Sequence, residues 1–281
     1  MVSGPWTMRR ASKSAAPPCR AALTAAIALL LHIALAGPVA RAACDKPVYL
    51  TFDTGHMEVA PLIAEVLQRQ AVRVTFFAAN ERTKVGDGSL GEHWAPWWRE
   101  RAAEGHEFAS HTWSHVYWRA DLPGTAPRFK VQASAGAQQG VVLNWGAAEY
   151  CQQIQQAGDR LQTLTGKKPL PLYRAPGGKT SLQLLAAAKA CGYAHVGWAA
   201  AGFLGDELPS DKFSNPLLLA KALRDIRSGD ILVAHLGIWS RQEPWAPAVL
   251  EPLLLGLKAR GFCFATLREH PAYRAWVAAS G

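Results

Sequence analysis

Charge is scarce in this 281-residue chain: Asp, Glu, Lys and Arg make up 18% of it, against 49% hydrophobic residues. That balance excludes a disordered polar tail, and the length excludes a knot too small to bury a core. Acidic residues are missing altogether from residues 1–43, which carry Arg9, Arg10, Lys13, Arg20 and Arg41. With those five set aside, the formal charge of +9 falls to +4, and the body of the chain has no run of Lys or Arg. Counterion release from phosphates then has little to act on, so nucleic acid is not an expected partner. No two cysteines are spaced CxxC, which argues against a cysteine zinc site or a thioredoxin-like motif. A run of the ~20 apolar residues needed to span a bilayer is lacking too, because the uncharged stretch 21–36 stops at Gly37-Pro38.

What residues 1–43 do contain is the order of an export signal: basic residues, the apolar stretch, then Ala40-Arg41-Ala42-Ala43 as a small-residue cleavage site. An uncleaved anchor is the alternative. Arg41 stands where a lipidation motif needs an aliphatic side chain, and Ala11-Ser12 lacks the apolar pair of a twin-arginine signal. The expected organisation is a signal peptide at 1–43 and one domain at 44–281, monomeric, periplasmic or extracellular, with no stable membrane span after cleavage. Cys44, Cys151, Cys191 and Cys263 then remain, an even number suited to an oxidising compartment. Of their three pairings, Cys44 with Cys263 and Cys151 with Cys191 is the expected one, and four buried thiols are the alternative.

Short apolar runs and stretches of helical spacing alternate through the rest of the chain. Strands are predicted at 48–52, 74–78, 107–110, 171–173, 194–197, 231–234 and 263–266, and helices at 59–70, 94–104, 147–164, 181–191, 216–226 and 247–260. Seven such units imply an α/β fold with a parallel sheet, and their number favours a barrel over an open sheet. Residues 116–146, rich in Gly, Pro, Ala and Gln with no clear period, read as an inserted loop: a lid or a mobile segment.

Polar residues gather where the predicted strands end. Asp53 follows the first, His111 and His115 the third, Arg174 the fourth and His235 the sixth. In a parallel barrel those ends share one face. His111 and His115 lie four apart, a spacing that on a helical turn lets two imidazoles grip one divalent ion, with zinc the default. Asp53 reads as a general base toward a metal-polarised water, or as a turn residue; His235 reads as a general acid, or as a core histidine. Arg174 is suited to fixing a carboxylate such as Asp53. Eleven tryptophans are many for this length, and Trp113, Trp118, Trp198, Trp239 and Trp245 are placed where indoles could stack on sugar rings.

Thr51-Phe-Asp-Thr-Gly55, Val74-Thr-Phe-Phe77, Gly105-His-Glu-Phe-Ala-Ser-His-Thr-Trp-Ser-His115, Tyr173-Arg-Ala-Pro-Gly177 and Gly229-Asp-Ile-Leu-Val-Ala-His235 together resemble the ordered motifs of the NodB-homology polysaccharide deacetylases, carbohydrate esterase family four. The resemblance spans about 46–268 and implies a distorted (β/α) barrel that deacylates an acetylated glycan with one divalent metal. It implies Asp53 as base, His111 and His115 as metal ligands, Arg174 as the residue orienting the base, the Gly177 N–H as oxyanion donor and His235 as acid. Trp198 and Trp239 are the expected sugar-binding residues. Two motifs depart from the family. Thr54 stands where a second aspartate serves as third metal ligand, so that place could be filled by Asp53, by water, or by a carboxylate from elsewhere such as Glu58, and His56 could also reach the ion. In the fourth motif Asp206 is at best a displaced equivalent of paired aspartates. A carbohydrate-binding protein with a weakened metal site, and a metal-free hydrolase of another C–N bond, are the alternative readings.

Overall fold

The computed structural model describes Met1 and residues 44–280, so the expected export signal and Cys19 lie outside the described residues. The first strand, β1 (Pro47–Asp53), is buried along nearly its whole length and leads into α1 (Ala60–Arg69), whose Ile63, Ala64, Val66 and Leu67 turn inward at helical spacing. The alternation continues through β2 (Thr75–Ala78), α2 (Ala95–Ala103) and β3 (Glu107–Ser110). It is interrupted by β4 (Val116–Asp121), β5 (Arg128–Ala133) and β6 (Val142–Gly146), and resumes at α3 (Ala147–Thr165). There follow β7 (Leu172–Tyr173), α4 (Leu182–Ala190), β8 (Ala194–His195), α5 (Asn215–Asp225), β9 (Ile231–His235), α6 (Leu250–Ala259), β10 (Cys263–Phe264) and α7 (Arg274–Ala279).

Local chemistry sets the helix ends. Ser181 Oγ accepts the Leu184 N–H at 3.0 Å and starts α4, a cap of a kind typically worth ~1 kcal/mol. Glu149 accepts the Gly146 N–H at the head of α3, and Gly166, at φ +69°, ends that helix in the left-handed conformation.

Seven parallel strands form a curled sheet in the order β10-β1-β2-β3-β7-β8, with β9 also paired to β1. The register sets Asp53 opposite His235 on β9 and Phe77 on β2, and Ser110 opposite Tyr173. This is the parallel barrel that the alternation predicted, in the distorted form that the family resemblance implies. Its opening lies between β8 and β9, where residues 199–204 cross: Ala199 N–H donates to Ile231 O at 3.1 Å, and Phe203 bridges to Val233. Strands expected at 171–173, 194–197 and 263–266 are each reduced to a pair of residues. Beyond β8 the backbone oxygens of Val196 and Gly197 face the Arg174 guanidinium, Val196 accepting from Nε at 3.2 Å.

The expected loop at 116–146 is instead a three-stranded antiparallel sheet, β4-β5-β6. Phe129, Val131 and Ala133 of β5 alternate inward and pack with Tyr150 and Ile154 of α3 and with Tyr173. That period of two covers only six residues, and the glycine-rich turns on either side mask it. Both expected disulfides are formed, Cys44–Cys263 and Cys151–Cys191, with Cα atoms 6.0 and 6.3 Å apart. Among the described residues no helix is long and apolar enough to cross a membrane.

Candidate active site

Because the strands run parallel, the residues at their C-terminal ends meet at one face. Asp53 ends β1 in a buried position, and its Oδ1 accepts from Arg174 Nη1 at 2.6 Å. Arg174 has no exposed surface and stacks on Phe77, with Cζ 4.2 Å from the ring centroid, so the guanidinium is held by packing as well as by charge. Burial works against a charged carboxylate, but Arg174, His111 and His235 together hold Asp53 below the ordinary aspartate value.

His111 and His115 are not on a helical turn. Thr112 (φ +63°) and His115 (φ +47°) both adopt left-handed backbone conformations, and Thr112 Oγ1 accepts the Val116 N–H at 2.8 Å. This tight loop brings the two imidazoles face to edge with centroids 4.8 Å apart. His111 Nδ1 lies 2.9 Å from Arg174 O, which can only accept, so this nitrogen carries the proton and Nε2 the lone pair. Ser134 Oγ donates to His115 O and therefore accepts from His115 Nδ1, which again leaves the lone pair on Nε2. Burial pushes His111 down to about 4, so its ring is neutral at pH 7.

The donor chemistry therefore fits a divalent ion: two imidazoles are fixed through their Nδ1 atoms, and the His111 lone pair lies 3.5 Å from Asp53 Oδ2 with no proton between them. As they stand, no three His, Cys, Asp or Glu side chains among the described residues converge on one point to ligate an ion.

His235 lies across the same cavity. Asp206 Oδ2 accepts the His235 backbone N–H at 2.6 Å, and both carboxylate oxygens approach the ring Nδ1, at 3.1 and 3.2 Å. Burial alone would lower the His235 pKa, but Asp206, with help from Asp53 and Glu207, raises it well above the ordinary imidazole value. The displaced fourth-motif residue thus stands directly behind the histidine it orients.

The cavity holds about 450 Å³ and is lined by His111, His115, Gly177, Trp198, His235 and Trp239, among others. Thr54 also faces it, whereas His56 and Glu58 line a smaller cavity alongside. His56 Nδ1 accepts the Glu58 N–H, and the Glu58 carboxylate pairs with Lys84 at 2.5 Å. Of the five tryptophans named from sequence, Trp198 and Trp239 reach the main cavity; Trp245 is buried in the core, while Trp113 and Trp118 pack partly against it.

Several lining residues had no signal in the sequence reading. Tyr117, Ser134 and Gln139 come from the small antiparallel sheet and its turn, and Glu81 from the loop after β2. The alternation of β5 is the pattern that could have placed the first three. Gly177 sits at φ +63° in the turn after β7, and a Cβ there would come within 3.0 Å of the Tyr117 ring, so the small sheet closes directly onto the site.

A parallel half-barrel that gathers a buried Arg–Asp pair, an Asp–His pair and two further imidazoles at its strand ends has the architecture of the distorted (β/α)-barrel class. Comparison with known proteins gives the family: the polysaccharide deacetylase pattern matches residues 40–196, and the chain belongs to that family, which marks it as a hydrolase acting on C–N bonds other than peptide bonds. It is 25% identical over 233 residues to a chitooligosaccharide deacetylase of Azorhizobium caulinodans, covering 79% of this chain and 93% of the relative. It is 24% identical to a peptidoglycan-N-acetylglucosamine deacetylase of Bacillus cereus, covering 82% and 90%. A family 4 acetyl xylan esterase from Clostridium thermocellum, solved with a cobalt ion, shares the fold at a TM-score of 0.61 and 21% identity, covering 82% of this chain and 92% of that one.

Proposed function

We propose that this protein is an exported, metal-dependent deacetylase that removes N-acetyl groups from an amino-sugar polymer of the cell envelope or its surroundings. The observation that carries the reading is the opposition of two oriented dyads, Arg174–Asp53 and Asp206–His235, across a cavity that also holds two imidazoles with free Nε2 atoms. Both relatives named above act on acetylated amino sugars, which favours nitrogen over oxygen as the leaving atom. A divalent ion held by His111 and His115, zinc by its preference for imidazole, would polarise the acyl carbonyl and acidify water.

The chain's own groups supply the rest. Asp53, kept ionised and aimed by Arg174, takes the proton of the water that attacks the acyl carbon. The Gly177 N–H faces the oxygen on which negative charge develops. His235, kept protonated by Asp206, gives its proton to the departing nitrogen as the C–N bond breaks, leaving acetate and a free amine. Trp198 and Trp239 offer flat faces to the sugar rings. Action outside the cytoplasm agrees with two disulfides in the fold and with the export order of residues 1–43.

The test is acetate release from N-acetylated chitooligosaccharides and peptidoglycan by the zinc-loaded protein, beside Asp53→Ala and His235→Ala. Turnover by wild type and its loss in both variants is the expected result. Variants that deacetylate as fast as wild type would refute the assigned roles.

A further inference from the structure

We propose that Glu81 is the carboxylate that completes the cation site begun by His111 and His115, with Thr54 as the hydroxyl that aims it. The inference rests on the metal-dependent reading above and adds to it the identity of the third protein donor.

Asp53 cannot easily fill that place and also act as base. One of its oxygens is held by Arg174 at 2.6 Å, and the other is the atom left to take a proton. The remaining acids near the site are engaged or lie on the other side. Asp206 is spent on His235, and Glu58 faces the neighbouring cavity, paired to Lys84. Glu207 is exposed, and its charge acts on His235 and Tyr117. Glu81 is the acid whose charge acts on His111, after Asp53, and it lines the same cavity as both imidazoles.

Its placement is built rather than incidental. The Glu81 N–H donates to Ser89 Oγ at 2.9 Å, and the Ser89 N–H donates back to Glu81 O at 2.9 Å. Ser89, fully buried, also donates to Ala79 O at 2.6 Å, so the loop is pinned at both ends. Thr54 Oγ1 accepts the Ala79 N–H at 3.0 Å and donates its one proton to Glu81 Oε2 at 2.6 Å. No cation pairs with the Glu81 carboxylate among the described residues, although Arg82 is its chain neighbour: that guanidinium lies over the Trp239 ring instead, 5.4 Å from its centroid. A half-buried carboxylate without a counter-charge, lining the same cavity as two imidazole lone pairs, is a set of donors suited to a cation. Two histidines and one carboxylate are a common catalytic zinc set, and Thr54 holds one oxygen of Glu81 while leaving the other for the cation.

The test is calorimetric titration of the metal-stripped full chain with zinc, together with the visible absorption of the cobalt-loaded protein. Wild type is expected to bind about one zinc and a His111→Ala, His115→Ala double variant none. Glu81→Gln should weaken binding at least ~10-fold and alter the cobalt bands, whereas Thr54→Val should cost less. Adding Thr54→Asp to Glu81→Gln should recover affinity, because it returns a carboxylate to the same wall. If Glu81→Gln does not fold by circular dichroism, Glu81→Asp, which keeps the charge but shortens its reach, is read the same way. Wild-type zinc affinity and an unchanged cobalt spectrum in the Glu81 variant, beside a dead histidine double variant, would overturn the role of Glu81 alone. A wild type that binds no zinc would overturn the metal-dependent reading and this inference with it.

Discussion

Asp53, Arg174 and His111 form an inner group, buried and tied to one another across three strand ends, while Glu81, Tyr117, Glu207 and Trp239 form an outer group carried by loops and the small sheet. Each inner residue has at least one polar atom assigned by a partner that leaves no choice, as with Arg174 O on His111 Nδ1. The outer residues keep solvent contact; Trp239 is 55% exposed. Chemistry that needs fixed proton positions sits where packing fixes them, and recognition of a bulky polymer sits where the wall can adjust.

The contrast predicts a descending series of effects. Asp53→Ala should lower acetate release by ~10²–10⁴-fold and, by stranding the buried Arg174 charge, cost ~3–5 kcal/mol in a urea melt. An inner variant with wild-type stability would show that the ion pair is not the tie it resembles.

Asp206→Asn should move the alkaline limb of the kcat/KM profile to lower pH. Asp206 raises the His235 pKa, so the protonated acid persists to higher pH in wild type than in the variant. The same sign governs stability. The pair's contribution is complete below the ordinary imidazole value, ~6.5, and is lost as pH rises through the folded value; in the variant that decline should disappear. Identical pH profiles for variant and wild type would dismiss Asp206 as an orienting group.

Gly177→Ala should cost ~1 kcal/mol for its positive φ, plus the contact with Tyr117, and lower kcat modestly. Trp239→Ala, the smallest effect, should raise KM for long oligosaccharides several-fold with kcat unchanged. A kcat effect as large as its KM effect would erase the boundary between inner and outer groups.

That boundary also divides what the sequence made legible. Asp53, His111, Arg174 and His235 stand out because each is a reactive side chain directly after a short apolar run and strand ends of a parallel sheet share a face, and His115 stands out by its spacing from His111. Glu81 lies in Asn80-Glu81-Arg82, which reads as a solvated turn, and its link to Thr54 joins positions 27 residues apart. Glu58, nearer Thr54 in the chain, is one of the alternatives the sequence leaves open for that place, and the fold turns it toward Lys84. The helical-turn argument for the two histidines likewise yields to Thr112 and His115, whose backbone no local propensity favours. Segment 116–146 was opaque because its strands are short and its apolar face is recognisable only against α3. Removing that segment would uncover Tyr150, Ile154 and Tyr173, so point changes at Tyr117 or Gln139 are the cleaner probes of selectivity.

The ladder between β1 and β9, with Asp53 opposite His235, acts as a ruler for the distance between the proposed base and the proposed acid. Helices and connecting loops do not enter that measurement, so lengthening them, or cutting and rejoining the chain at a loop away from the strand ends, leaves the spacing intact. One residue inserted within either strand advances its end by ~3.3 Å and turns the reactive side chain to the opposite side of the sheet. Tolerance to insertion in this protein is therefore set strand by strand: 47–53 and 231–235 are rigid in length, and the helices and the loops away from the strand ends are free to change.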